Sequence, residues 1–390
     1  MRLQLFMRTV RESQKLADLV LSLRLPYMTR EASKSDLART VSVLRHVRYV
    51  DLPVGFFSDE PASYTLKQEL MAKCPDIRRM TYTHGSEMSI SRIVGAKLWT
   101  NLESLELSGL HVDEGTLLQV LGSFPALRSL KLENLASIGD SVFTPFRAMP
   151  NFPPIERLII RNMTSITADG LATNLSVSQN QHALETLGLT QTGVRPESLH
   201  MILSRAPRLK SLTLELDVET SFPAQEIPLL TSSSVEIMHY EITSTGSPSG
   251  MQTVASSYYN YLISSLKSNS LPALRHLYAL DPRFIDMLPL ASPKPDLQQP
   301  LALYTKGPDD FEWNITQYEP TATGKRTSVT RPVSFHLAQL SPRWGVESRQ
   351  SVLVGNGFGG YLAVPVDEEG PASSGEKSTN RRDSKYDLWR

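Results

Sequence analysis

An apolar skeleton of the form L-x-x-L-x-L returns along this 390-residue chain at nearly even steps. The first apolar residues of the windows are Leu16, Val47, Ile77, Leu102, Leu127, Ile155, Leu184, Leu209, Val235 and Leu274. Successive windows are 31, 30, 25, 25, 28, 29, 25, 26 and 39 residues apart. A unit this short cannot bury its apolar face alone and must stack on its neighbours, which confines the chain to a solenoid.

Each window alternates on a period of two, as in Leu105-Glu106-Leu107 and Leu130-Lys131-Leu132, so its leucines share one face of a short strand. Between windows the period lengthens. In DEGTLLQVLGSFP, Leu117, Leu118, Val120 and Leu121 give a helical face, with Asp113 as N-cap and Pro125 as stop. In VRPESLHMILSRAP the face is Leu199, Ile202, Leu203 and Ala206, with Pro196 at the helix start and Pro207 ending it. Strands stack at about 4.8 Å while helices need about 8–10 Å, so one layer of each must bend. The expected fold is an α/β leucine-rich-repeat solenoid with a concave parallel sheet and helices outside.

The windows at Ile77 (IRRMTY) and Val235 (VEIMHY) are imperfect, and Glu241 to Gly250 reads as a polar loop before the helix VASSYYNYLISSLK, with Tyr258, Leu262 and Leu266 on one face. FMRTVRESQKLADLVLSLRL reads as a helix feeding directly into the first strand. The expected organisation is a solenoid over 1–290, an irregular linker over 291–331, a short-strand cap over 332–365 and a disordered tail over 366–390.

Composition narrows the function. Forty Lys and Arg balance forty Asp and Glu, so net charge offers no nucleic-acid footprint. The single cysteine, Cys74, excludes an internal disulfide and fits a reducing compartment. No signal peptide or 18-residue apolar window is present, so the expectation is a cytoplasmic or nuclear chain without a membrane partner. In that setting the sequons at Asn162, Asn174 and Asn314 carry little weight.

Little of the chemistry-bearing sequence points to catalysis. GNGFGG matches G-x-G-x-x-G through Gly355, Gly357 and Gly360, but YLAVPV follows where a dinucleotide site needs a helix, so a glycine-rich hairpin or bend is expected. Cys74 closes an apolar helix and reads as a packed residue, and the histidines lack metal-ligand spacing. No catalytic residue, metal or cofactor is assigned. What remains is the strand face opposite the leucines. Its candidate protein-binding residues are Glu106, Lys131, Arg157, Ile159, Arg161, Thr213, Glu215, His239 and Tyr278, a set suited to a protein partner on the concave face.

LFMRTVRESQKLADLVLSLRL (Leu5 to Leu25), WTNLESLELSGL, FPALRSLKLENL, SITADGLATNL and the terminal YDLWR resemble segments of fungal F-box proteins with leucine-rich repeats. The resemblance covers residues 5–290 at the level of pattern. It implies substrate recognition, as in SCF-type ubiquitin-ligase receptors, where the F-box recruits the ligase core through a linker subunit and the repeats hold the substrate. Two departures stand out. Leu110, Leu135, Met163 and Thr192 occupy the place where common repeats carry Asn or Cys, leaving Asn134 and Asn162, one place earlier, to help satisfy the turn. No F-box precedes residue 5, so the ligase core is an expected partner only if an F-box is supplied. The alternatives are a ligase-independent scaffold or inhibitor and, more distantly, a GTPase-activating repeat protein.

Overall fold

The computed structural model describes residues 2–25, 34–52, 57–96, 98–145, 150–244, 253–281, 284, 287–288, 300–306, 313–318, 351–355 and 361–365. The chain divides into two compact units, Met1–His336 and Leu337–Arg390.

In the first unit the strands are β1 (Ser22–Arg24), β2 (Tyr49–Asp51), β3 (Arg79–Thr83), β4 (Ser104–Ser108), β5 (Ser129–Glu133), β6 (Arg157–Met163), β7 (Thr186–Thr192), β8 (Ser211–Asp217), β9 (Ile237–Thr243), β10 (His276–Ala279), β11 (Leu301–Lys306) and β12 (Trp313–Tyr318). They form one 12-stranded sheet in chain order. Pairing is parallel from β1 to β11, and β12 turns back antiparallel on β11. The helices are α1 (Arg2–Glu12), α2 (Gln14–Ala17), α3 (Lys34–Val41), α4 (Tyr64–Lys73), α5 (Glu87–Ala96), α6 (Glu114–Gly122), α7 (Ala168–Asn174), α8 (Ser178–Ala183), α9 (Leu199–Leu203) and α10 (Thr253–Lys267). They form the outer layer of a curved α/β solenoid.

From Val47 onward, every window places its strand two residues after its first apolar residue. The window at Leu16 is corrected: Leu16 lies in α2, and β1 follows from Val20. The leucines of the windows make the core, with Leu105, Leu107, Leu130, Leu132, Leu187, Leu189, Leu212 and Leu214 all buried in register. Burying each such side chain contributes about 1.5–3 kcal/mol. Both imperfect windows fold as strands. Met80 and Tyr82 in β3, and Met238 and Tyr240 in β9, fill the leucine places, and the Tyr240 hydroxyl donates to the Tyr258 carbonyl at 3.4 Å.

A repeated carbonyl fork fixes the register. The Arg78 carbonyl accepts from the amides of Glu103 and Ser104, both at 2.8 Å, and the Glu103 carbonyl from those of Arg128 and Ser129, both at 2.9 Å. At the opposite strand end, Gly109 (φ 64°), Asn134 (53°), Asn162 (52°) and Gln191 (50°) occupy equivalent places in the left-handed region. Gly and Asn tolerate that backbone best. The next residues, Leu110, Leu135, Met163 and Thr192, are buried. Asn134 and Asn162 thus serve the turn through their own backbone conformation.

The outer elements follow their local sequences. Asp113 caps α6, its carboxylate accepting from the Thr116 amide at 2.9 Å, while Leu117, Leu118, Val120 and Leu121 are buried. Pro196 opens a short 3₁₀ turn, Pro196–Ser198, that runs into α9. Between β8 and β9 no helix forms, and α10 supports that connection instead. Phe222 and Leu230 amides donate to Ser257 and Ser265 hydroxyls at 2.8 and 3.1 Å, and the Tyr258 hydroxyl donates to the Thr220 carbonyl at 3.1 Å.

Two expectations change. Glu241 to Thr243, read as the start of a loop, complete β9 with Ile242 buried, while residues 245–250 lie outside the described residues. The stretch read as an irregular linker supplies β11 and β12, because Leu301, Leu303 and Thr305 alternate into the core. In the second unit, β13 (Ser351–Gly355) and β14 (Tyr361–Pro365) pair antiparallel with Gly355 opposite Tyr361. A strand therefore follows GNGFGG where a dinucleotide site needs a helix. The strand read over 332–340 and the tail over 366–390 lie outside the described residues.

Candidate protein-binding face

Strand register assembles the outward face row by row. Its middle row runs Thr81, Glu106, Lys131, Ile159, Gly188, Thr213, His239, Tyr278 and Tyr304. Six sequence-predicted residues, Glu106, Lys131, Ile159, Thr213, His239 and Tyr278, lie in this row. Arg157 stands in the row toward the strand starts, and Arg161 and Glu215 stand in the row toward the strand ends. They do not form one site. Glu106 on β4 and Tyr278 on β10 are separated by six strand spacings, roughly 29 Å.

Three regions follow. On β3 to β5 the charges neutralise one another: Arg79 pairs with Glu106, and Lys131 Nζ lies 2.6 Å from Glu133. On β6, Arg157 and Arg161 are exposed, and neither side chain has an ion pair or hydrogen bond among the described residues. Ile159 stands half-buried between them. The Ile159 side chain leans over Gly188, where an added Cβ would lie 3.5 Å from both of its γ carbons.

Beyond β6 the face drops into a trough. Its floor is made by Thr186 and Thr190 of β7 with Ser211 and Thr213 of β8, Gly188 between them being buried beneath Ile159. One wall is Arg157, Ile159 and Arg161; the other is Ile237, His239 and Glu241. The walls stand three strand spacings apart, roughly 14 Å. Two carboxylates guard the end near Arg161. Glu215 accepts from the Thr190 hydroxyl at 3.2 Å, and Glu241 lies 3.3 Å from His239 Nδ1.

Past the trough lies an aromatic row. His239 and Tyr278 stack at 3.9 Å, and Tyr278 and Tyr304 at 4.2 Å. Trp313 meets Tyr278 edge-on at 5.3 Å, and Lys306 Nζ lies 4.9 Å above the Trp313 ring. Burial, and next the neighbouring Tyr304, push the Tyr278 phenol up to about 12, so it stays a neutral hydroxyl near pH 7. Tyr304, Trp313 and Lys306 do not stand out in the sequence, because turn-rich segments such as ASPKPDLQQP flank them. The alternation of LALYTK was the signal that placed Tyr304 and Lys306 outward.

Among the described residues no group of three or more His, Cys, Asp or Glu is placed to hold a metal ion. Cys74 is fully buried, its thiol donates to the Leu44 carbonyl at 3.3 Å, and burial pushes its pKa up to about 12. No described helix is long and apolar enough to cross a membrane.

No protein-family model matches the chain, and no curated protein matches it. Among solved structures it is similar to a chain in the crystal structure of the Rad7 and Elc1 complex in yeast, with 13% identity over 76% of this chain and 70% of that one, at a TM-score of 0.44. A likeness at that identity and score says nothing of function.

Proposed function

We propose that this chain is a non-catalytic protein-binding module whose concave face holds a protein partner, as a substrate-recognition subunit related to SCF-type ubiquitin-ligase receptors. The observation that carries the binding role is the β6 row. Two exposed arginines without partners among the described residues flank an outward isoleucine beside a trough of small side chains. Arg and outward apolar groups are favoured anchors of protein interfaces. The ligase role rests on the sequence resemblance, and contact with the ligase core requires an F-box. The proposed setting is the cytoplasm or nucleus.

The test is a pull-down of the full chain, alone and joined to an F-box, against an Arg157→Glu/Arg161→Glu variant. Partners that depend on the arginines, with the linker subunit and ligase core recovered only when the F-box is present, are expected. An unchanged partner set from the charge-reversed variant contradicts binding at this face. Arginine-dependent partners without the ligase core on the F-box fusion leave a ligase-independent scaffold.

A further inference from the structure

The trough between β6 and β9 has a geometry that selects more than "a protein". We propose that it takes an extended peptide segment with two acidic residues four positions apart and an apolar residue midway between them. This deepens the proposed function and rests on it.

The spacing comes from β6 itself. Arg157, Ile159 and Arg161 alternate onto one face of a strand, so the two arginines stand about 13 Å apart with the isoleucine at the midpoint. An extended chain in the trough, running along the strand direction, directs every second side chain toward this wall on the same repeat. Its residues i, i+2 and i+4 then meet Arg157, Ile159 and Arg161 in turn. A helix, rising about 1.5 Å per residue, cannot bring residues i and i+4 to that separation.

Charge complements spacing. The guanidiniums present planar donor forks suited to carboxylates, and neither has a partner among the described residues. The nearest acid to Arg161 across the register, Glu133 on β5, is already held by Lys131 at 2.6 Å. The far wall has a different character. Ile237 stands near Arg157's end, His239 is mid-wall and Glu241 lies near Arg161's end, with Glu215 of the floor strand β8 beside it. The opposite edge of the segment therefore favours an apolar residue at one end and a Lys or Arg at the other. An all-acidic segment meets repulsion at those two carboxylates. The floor leaves room for the peptide backbone because its open positions, Thr186, Thr190, Ser211 and Thr213, carry small side chains, while Gly188 lies buried beneath Ile159.

The test is selection of random nine-residue peptides, displayed on phage, against the full chain. Parallel selections use Arg157→Glu/Arg161→Glu and Leu-rich-core-neutral Gln119→Glu as a control on α6. Enrichment of peptides with acids four apart around an apolar residue is expected, as is their loss from the double variant's selection. For one enriched synthetic peptide, Arg161→Gln should weaken binding about tenfold or more, with unchanged thermal melting. Enrichment without that spacing, or affinity insensitive to both arginines, overturns the proposal. If no peptide is enriched yet protein partners still cross-link to the concave face, the acidic-segment proposal falls and the binding role stands. If partners cross-link only to the helical face, both fall.

Discussion

The imidazole of His239 lies flat on the ring of Tyr278, with centroids 3.9 Å apart and planes 4° from parallel. This contact joins β9 to β10 across the longest step between windows. Tyr304 extends the stack to β11 at 4.2 Å, and Trp313 meets it from β12. The row therefore ties β9, β10, β11 and β12 together across the sheet. Tyr278→Ala should destabilise the first unit by about 2–4 kcal/mol, from lost area and three ring contacts. Tyr278→Phe should cost under about 1 kcal/mol. Urea unfolding of both distinguishes them, and equal losses contradict a stacking role.

Leu130 and Lys131 are adjacent but face opposite ways, with Leu130 fully buried and Lys131 paired to Glu133 on the outward face. Leu130→Asp should cost about 4 kcal/mol or more, because it buries a charge among leucines. Lys131→Gln should cost about 1 kcal/mol or less, since half-exposed ion pairs contribute little. Similar melting losses for the two mean that the strand phase is wrong.

Gly170 in α7 tests a contact rather than a propensity. Gly→Ala in a helix ordinarily stabilises by about 1 kcal/mol. Here an added Cβ would fall against the carboxylate of Asp140, only 2.8 Å from that residue's own Cβ. That carboxylate accepts from the Thr167 amide at 2.8 Å and hydroxyl at 2.5 Å at the start of α7. Gly170→Ala should therefore destabilise, by about 1–3 kcal/mol. A raised melting temperature contradicts the packing.

Asp59 gives a pH dependence. Burial raises its pKa, but hydrogen bonds from the Ser89 hydroxyl, Lys67 ammonium and Met88 amide outweigh that and hold it below 3.8. A carboxyl lowered on folding contributes stability above its unfolded pKa and loses it as pH falls through the folded value. Asp59→Asn should lower the melting temperature at pH 7 and shrink the loss seen between pH 5 and pH 3. An unchanged acid profile in that variant contradicts the assignment.

The sequence revealed the stacking more fully than the face. Windows from Val47 to Leu274 located their strands because alternating leucines have one buried solution. Leu16 misled because LADLVL and VLSLRL fit the same pattern four residues apart, the spacing of a helical turn. Packing separates the two frames: Leu16 and Leu19 are 46% and 74% exposed, while Leu23 is 4%. Outward positions followed from phase alone, so Arg157, Ile159 and Arg161 were legible. Their lack of partners among the described residues was not, since Lys131 looks equally free in sequence and is engaged by Glu133. Tyr304 and Trp313 were hidden by loop-like flanks, although Leu301, Leu303 and Thr305 pack into the core from one face of β11.

The most direct test of a partner-binding concave face is site-specific photo-cross-linking in cells. A photoreactive side chain would replace Thr213, on the trough floor, or Gln119, exposed on α6. The expected result is discrete protein adducts from position 213, abolished by Arg157→Glu/Arg161→Glu, with none of these adducts from position 119. Adducts from position 119 alone, or from position 213 regardless of the two arginines, would contradict it.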